Sequence, residues 1–147
     1  MAQDPTSHED LAGLYRAAIR QHASAPVGYR QPVAATHRHE EFNPQCGDRI
    51  EIQLQVGSER IEAAAFDGEA CAICIASASL LCSLAPGQTV AGLQQLGNDL
   101  RQALDSAAPP ELLLHEDLHA LLGVRPYPSR IRCATLPWTA ARRALSG

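Results

Sequence analysis

The sequence predicts an α+β fold, in which a small antiparallel sheet built on a β-hairpin packs with an N-terminal helix and several C-terminal helices. Residues 50–56 alternate apolar and polar side chains without a break, which is the period of a half-buried strand. After a turn at residues 57–59, the chain returns as a second strand over residues 60–66. Helically spaced apolar residues precede the hairpin over residues 9–23, and further helical stretches follow it.

The length and composition limit the class of protein. The chain of 147 residues predicts one domain, residues 1–147 with a loose leader at residues 1–8, and the 46% of apolar residues suffice for a core. The net charge of −4 argues against nucleic-acid binding, because contacts with phosphate need a basic face. No apolar run approaches the roughly 20 residues of a membrane span, and the N-terminus lacks a signal-peptide pattern. We therefore expect a cytoplasmic protein that binds neither nucleic acid nor membranes.

The five cysteines form no periodic disulfide framework, and their number is odd. In a reducing compartment such cysteines are more often metal ligands or reactive thiols than disulfides. Cys82 is expected in the core, because it lies about 16 Å along a predicted helix from Cys71 and cannot reach the same metal. Cys74 lies one helical turn from Cys71, so the choice between site and core stays open for it.

Cys71 begins the helix around which the predicted site is organised. A strand ends in a turn at Asp67-Gly68, and a run of small and apolar residues from Cys71 to Leu84 then predicts a helix. In the first turn of a helix, unpaired backbone N–H groups and the helix dipole favour the thiolate form of a cysteine. The thiolate is the form that binds metals and attacks sulfur.

The hairpin brings Cys46 and Asp48 to the start of this helix. Both lie in a turn over residues 43–49 that enters the first hairpin strand, and residues two apart on an extended segment point the same way. The antiparallel register carries Asp67-Gly68 back beside Asp48. Cys46 and Cys71, distant in sequence, are therefore predicted to share one site.

One loop and three more helices complete the predicted fold. Residues 24–41 contain two prolines and a glycine, and we predict a loop there. Apolar spacing predicts further helices over residues 89–106, 111–122 and 134–145. Pro137 is placed near the start of the last helix, where proline is tolerated.

Cys133 precedes the last predicted helix and completes the site. Arg130 and Arg132 flank it, and a nearby guanidinium charge favours the thiolate. The predicted ligand set then contains three thiolates and one carboxylate: Cys46, Asp48, Cys71 and Cys133.

This donor set suits tetrahedral zinc, a metal that accepts sulfur and tolerates oxygen. We expect Arg49, Arg130 and Arg132 to offset part of its negative charge. A carboxylate is a more labile ligand than a thiolate, so the site is predicted to open. The same cysteines could instead hold an iron–sulfur cluster, which mixed ligation would make exchangeable.

Two histidine pairs are the other candidate ligands. His37 and His39 stand in the polar end of the predicted loop, where histidines are usually solvated. His115 and His119 are four apart, which is a possible metal-binding spacing, but no third ligand accompanies them. The sequence favours ordinary surface or core histidines at all four positions.

Three segments together resemble the SufU branch of the IscU/NifU-type iron–sulfur assembly proteins. They are residues 43–50, 68–79 and 130–138, and the resemblance extends from about residue 9 to residue 145. The stretch from Pro109 to Tyr127 resembles an insertion found in the SufU branch. Arg132 stands where IscU has a histidine, which is another feature similar to SufU.

The resemblance implies an α+β fold of the IscU/SufU type and carries the family's ligands onto Cys46, Asp48, Cys71 and Cys133. It implies a sulfur carrier that takes persulfide sulfur from a PLP-dependent cysteine desulfurase similar to SufS. Zinc is expected to stabilise the fold and to mask the Cys46 thiol. A histidine of the desulfurase is then expected to displace this thiol from zinc. The sulfur would then pass to a downstream SUF scaffold or to apo-protein acceptors.

Two positions depart from the SufU pattern Gly-Cys-x-Ile-Ser, which here has Ala70 at its start and Cys74 at its end. Cys74 is therefore open to three interpretations: a spare ligand, a sulfur relay or a core residue.

Two other functions of the protein also stay open. One is a scaffold on which a labile [2Fe–2S] cluster is assembled, and the other is a structural zinc module for protein interactions.

Overall fold

The computed structural model describes residues 8–105 and 114–146. The predicted α+β architecture is confirmed: a small antiparallel sheet packs against C-terminal helices, and the N-terminal helix packs against two of those helices. Most of the predicted leader, and the first part of the helix predicted over residues 111–122, lie outside the described residues. The elements in chain order are α1 (His8–Ser24), β1 (His37–Asn43), β2 (Asp48–Val56), β3 (Ile61–Glu69), α2 (Ala72–Leu84), α3 (Val90–Asp105), a 3₁₀ helix (Glu116–Val124) and α4 (Pro128–Ser146).

The sheet has three strands in the order β1-β2-β3, so the loop predicted up to residue 41 is wrong at its C-terminal end. The strand β1 escaped the apolar pattern because its inward side chains are largely polar. Glu41 accepts hydrogen bonds from Arg143 of α4 at 2.6 Å and pairs with His39 at 2.8 Å. An ion-paired face therefore replaces the apolar face that usually marks a strand.

The predicted hairpin and its register are confirmed. Arg49 pairs with Glu69 and Ile50 with Gly68, so the end of β3 lies beside the start of β2. The prediction of a turn at Asp67-Gly68 is wrong, because β3 continues through it to Glu69. A Cβ atom at residue 68 would lie 2.1 Å from the Arg49 carbonyl oxygen, which explains the glycine as a point of close backbone approach.

The helix α2 is the buried centre of the molecule. It packs against α1, α4 and β3, and most of its side chains are removed from solvent. Ser77 donates a hydrogen bond to the Ala134 carbonyl oxygen at 2.5 Å and accepts one from the Trp138 indole N–H at 3.0 Å. These two bonds fix α2 against α4.

Two predictions for the C-terminal region are wrong. The Leu-rich stretch forms a 3₁₀ helix that begins only at Glu116, and α4 begins at Pro128 instead of residue 134. Proline is favoured at the first position of a helix, which Pro128 occupies here. The Tyr127 carbonyl accepts the Ile131 N–H at 3.0 Å and so closes the first turn. Cys133 and Pro137 therefore both lie inside α4. Within the described ranges, no helix combines the length and apolar composition that crossing a membrane would require.

Candidate metal centre

Cys46 lies on a tight turn between β1 and β2. Asn43, which is buried, shapes this turn: its side-chain oxygen accepts the Gln45 N–H at 3.1 Å, and its carbonyl accepts the Gly47 N–H at 2.8 Å. Gly47 has a φ of 78°, which favours glycine. The turn presents the Cys46 side chain at the surface, where it is exposed to solvent.

Asp48 is the first residue of β2 and is only 4% exposed. Its Oδ1 atom accepts the backbone N–H of Cys71 at 2.9 Å, which joins the start of β2 to the start of α2. Its Oδ2 atom is buried and has no hydrogen-bond partner in the described part of the chain. An unpartnered buried hydrogen-bond acceptor costs about 1–3 kcal/mol. This oxygen is therefore available as a ligand atom for a cation.

Three of the four predicted ligands converge. One ligand atom each from Cys46, Asp48 and Cys133 lies within 4.8 Å of the others, and the Cys46 and Cys133 sulfur atoms are 4.0 Å apart. Cys71 is not a member of this group. Its thiol nevertheless interacts with both Asp48 and Cys133, so it borders the group at the start of α2.

Burial and contacts within the centre together set the pKa values of Asp48 and Cys133. Burial raises the pKa of the Asp48 carboxyl group, but the Cys71 N–H and the thiols of Cys133, Cys71 and Cys46 outweigh it and place the pKa below its usual value. Burial raises the pKa of Cys133, and contact with Cys71 and Asp48 adds to the rise.

The expectation that helix α2 favours a Cys71 thiolate is wrong for the protein without a metal. Cys71 is the N-cap of α2, one position before the first turn. Burial raises the pKa of its thiol and outweighs the lowering by the Cys74 N–H and the Cys133 thiol, and Asp48 adds a smaller rise. Desolvation and a neighbouring carboxylate therefore outweigh the helix terminus.

The donor set fits a soft divalent cation. Its thiolates would repel one another and the Asp48 carboxylate. Arginine is not among the groups that mainly shift the pKa values of Asp48, Cys71 and Cys133. A bound cation would supply the missing positive charge and a partner for the buried Asp48 oxygen. Sulfur donors with one oxygen donor suit zinc.

The predicted role of three arginines in balancing this charge is not supported. Arg49 forms an exposed ion pair with Glu40 of the neighbouring strand β1 at 2.9 Å. Arg130 stacks over the Tyr127 ring, with the guanidinium carbon 4.5 Å from the ring centre. Arg132 is exposed. Arg49 and Arg130 therefore have nearby partners, and Arg132 faces water.

The two remaining cysteines belong to the core. Cys74 is fully buried in the hydrophobic core, and burial raises the pKa of its thiol far above the usual value. Cys82 is also buried, which raises its pKa to about 12, as expected for a core residue. Neither joins the group of ligand atoms. All five cysteines are free thiols.

The four histidines have local partners. His37 bonds the Thr36 hydroxyl at 2.8 Å, and His39 pairs with Glu41. The ring of His115 accepts the Asp117 N–H at 3.1 Å, and the ring of His119 contacts the Leu114 carbonyl oxygen at 3.0 Å. These contacts agree with the expectation of ordinary surface or core histidines.

Two residues position the centre without being predicted ligands, and sequence reasoning missed the first of them. Ser77 sets α2 against α4 and so places Cys71 relative to Cys133. Asn43 sets the turn that carries Cys46. Asn43 had a usable signal, because asparagine before proline is typical of turns. A serine inside an apolar helix carries no signal of its partner.

The fold and the centre can now be compared with known proteins. Residues 15–146 match the family described as the NifU-like N-terminal domain. Over 142 residues the chain is 35% identical to the zinc-dependent sulfurtransferase SufU of Bacillus subtilis strain 168, covering 93% of this chain and 92% of that protein. Over 138 residues it is 30% identical to the iron–sulfur cluster assembly scaffold protein IscU of Streptococcus pyogenes serotype M1, covering 92% and 84%. A crystal structure described as that of a hypothetical protein superposes with a TM-score of 0.82 at 27% identity, covering 92% and 98%.

Proposed function

This chain belongs to the NifU-like N-terminal domain family of iron–sulfur cluster assembly proteins, and we propose that it is a zinc-dependent acceptor of persulfide sulfur from a cysteine desulfurase. The similarity to a protein named a zinc-dependent sulfurtransferase supports this proposal. The observation that carries it is the position of Cys46. Within the group of converging ligand atoms, Cys46 is the exposed member, whereas Asp48 and Cys133 are buried.

The contrast in burial assigns different tasks to the four residues. Asp48 and Cys133 are held by β2 and by the interior of α4. Cys71 is held at the start of α2 by its N–H bond to Asp48. Cys46 lies on a short turn beside a glycine, so its sulfur can meet a donor from outside without any change in the sheet or helices.

The residues that would hold zinc are Cys46, Asp48, Cys71 and Cys133. Zinc, when bound there, supplies the positive charge that keeps the thiols deprotonated. Asp48 contributes in two ways from its own position: its Oδ1 atom orients Cys71 through the backbone N–H, and its Oδ2 atom remains available as a ligand.

The transfer itself is an exchange between sulfur atoms. The Cys46 sulfur, as thiolate, attacks the outer sulfur of a persulfide on the cysteine of the desulfurase. A new S–S bond forms at Cys46 while the S–S bond of the donor breaks, and the donor cysteine leaves as a thiolate that takes up the proton lost from Cys46. One S–S bond replaces another, so no external oxidant or reductant is needed.

We propose a PLP-dependent cysteine desulfurase similar to SufS as the donor, and a SUF scaffold or apo-proteins as the downstream acceptors. A persulfide at Cys46 would lie on the surface, which allows both transfers to use the same exposed atom. The cytoplasm is the location we propose, because a reducing compartment keeps all five cysteines as thiols.

The experiment that tests this proposal locates the sulfur. The protein is incubated with a cysteine desulfurase and cysteine, and each cysteine-containing peptide is then analysed by mass spectrometry after alkylation. We expect the persulfide on Cys46 and none in the Cys46→Ser variant, whose fold should be retained. Cys82→Ala is the matched control, since it removes a core thiol and should keep the transfer. Transfer that survives in Cys46→Ser would contradict the proposal.

A scaffold for a labile [2Fe–2S] cluster is the second candidate, and the 30% identity to a protein named an IscU scaffold favours it. Its thiolate ligands would be the same cysteines. The two candidates differ in what the purified protein carries, because a scaffold accumulates iron and sulfide whereas an acceptor carries zinc and gains a persulfide only from a desulfurase. A structural zinc module would do neither, and Cys46→Ser would then lower only the stability.

A further inference from the structure

The groove between α3 and α4 contains a second group of charged residues, on helices that carry no predicted ligand except Cys133. It encloses a small cavity of about 10 Å³, which is room for about one water-sized group. Arg101 and Arg142 approach it from the two helices, and Leu93 and Leu145 provide apolar walls. The single tryptophan of the chain, Trp138, also lines the cavity.

Arg101 is incompletely satisfied in this groove. Its Nη1 atom donates a hydrogen bond to the Asn98 side-chain oxygen at 3.2 Å. Its Nη2 atom is buried and, among residues 8–105 and 114–146, finds no acceptor. A guanidinium group has five N–H donors in a fixed plane, so a buried end without an acceptor leaves strong donors unused.

The charge around Arg101 is also unbalanced. Burial lowers the pKa of Arg101, and the positive charge of Arg142 lowers it further, with no described carboxylate acting in the opposite direction. Asp99, on the same helix, instead accepts a hydrogen bond from Gln95 at 2.7 Å. Two like charges therefore converge on one cavity in a protein whose net charge is −4.

The helices can approach closely here because Gly97 stands at their contact. A Cβ atom on this residue would lie 3.3 Å from Cε3 of Trp138 and 3.5 Å from Nη1 of Arg101. The absence of a side chain at residue 97 therefore lets the indole ring and the guanidinium group face the same space. An occupant of the cavity would touch both.

We propose that the Arg101–Arg142 groove binds a small organic carboxylate. One carboxylate oxygen enters the cavity and accepts from the buried Nη2 atom of Arg101, while Arg142 pairs with the other oxygen at the open mouth. The short apolar part of the ligand lies outside the cavity against Leu145, which is partly exposed. This division into a cationic end and an apolar wall favours an organic carboxylate over inorganic phosphate, which has no apolar part to bury.

Trp138 provides the readout, because it lines the cavity and is the only tryptophan. The full-length protein is titrated with acetate, butyrate and inorganic phosphate at constant ionic strength, and the indole fluorescence is followed. We expect saturable changes with both carboxylates, tighter binding of butyrate than of acetate, and weaker binding of phosphate than of either. Arg101→Met and Arg142→Met should each weaken butyrate binding about tenfold or more, because each removes a charged hydrogen-bond donor.

Arg20→Met on α1 is the matched control, since it removes the same charge from an exposed helix and should leave binding unchanged. Arg142 is exposed, so its variant tests the proposal even if Arg101→Met unfolds. Three results would overturn the proposal: no saturable change with butyrate, equal loss in the Arg20 control, or tighter binding of phosphate than of butyrate. The first would leave an ordered water as the partner of Arg101.

Discussion

The turn at residues 43–48 and the helix α2 hold the same kind of side chain in opposite environments. In the turn, Cys46 is exposed beside a glycine, and Asn43 accepts two backbone hydrogen bonds that fix the backbone around it. In α2, Cys74 and Cys82 are buried in the hydrophobic core. Because the same thiol group occurs in both environments, we expect burial to decide which cysteine reacts.

The difference in burial between Cys46 and the cysteines of α2 should have its largest effect on thiol labelling of the folded, metal-free protein. Cys46 should react with iodoacetamide at the rate of an open thiol, whereas Cys74 and Cys82 should react at least about a thousandfold more slowly, because the core must open first. Mass spectrometry of the labelled peptides over time measures each rate. Labelling of Cys74 as fast as that of Cys46 would show that α2 opens readily. It would contradict the expectation that burial protects the cysteines of this helix.

A smaller effect is expected when the contact between α2 and α4 is weakened. Ser77→Ala removes the partner of the Trp138 indole and of the Ala134 carbonyl, both buried, and should lower the free energy of unfolding by about 1–3 kcal/mol. Ser83→Ala, at an exposed position of the same helix, is the matched control and should change it by less than about 0.5 kcal/mol. Denaturant titrations of both variants measure the difference. Equal values would mean that Ser77 does not fix α2 against α4.

The smallest effect is expected in the turn. Gly47→Ala should cost about 1 kcal/mol, because the φ of 78° is unfavourable for alanine. A Cβ atom at residue 47 would meet no atom within 4 Å, so no steric term adds to this cost. Chemical denaturation again provides the measurement. A loss as large as that of Ser77→Ala would indicate that the turn is a rigid part of the core.

The contrast between turn and helix also explains which predictions from sequence were correct. The hairpin register follows from an uninterrupted apolar alternation, and it correctly placed Asp48 beside the start of α2. The turn carrying Cys46 follows from asparagine, proline and glycine. These features are local, so the sequence determines them.

The errors concern features that depend on distant contacts. The strand β1 pairs with β2 and is joined to α4 by the bond of Glu41 with Arg143, which no apolar pattern indicates. The preference of Cys71 for the thiolate was wrong because Asp48 and burial, both set by the tertiary structure, outweigh the helix terminus. Arg49 pairs with Glu40 of β1, a contact that the sequence near the site does not indicate.

The central claim is a metal centre from which one exposed thiol accepts sulfur. Metal and acid-labile sulfide per chain, measured in protein purified without added metal or a metal-binding tag, test it most directly. We predict about one zinc ion per chain, as one four-ligand centre would hold, and no sulfide. Iron and sulfide in near-equal amounts would contradict the acceptor function in favour of a cluster scaffold, and protein without any metal would contradict the centre itself.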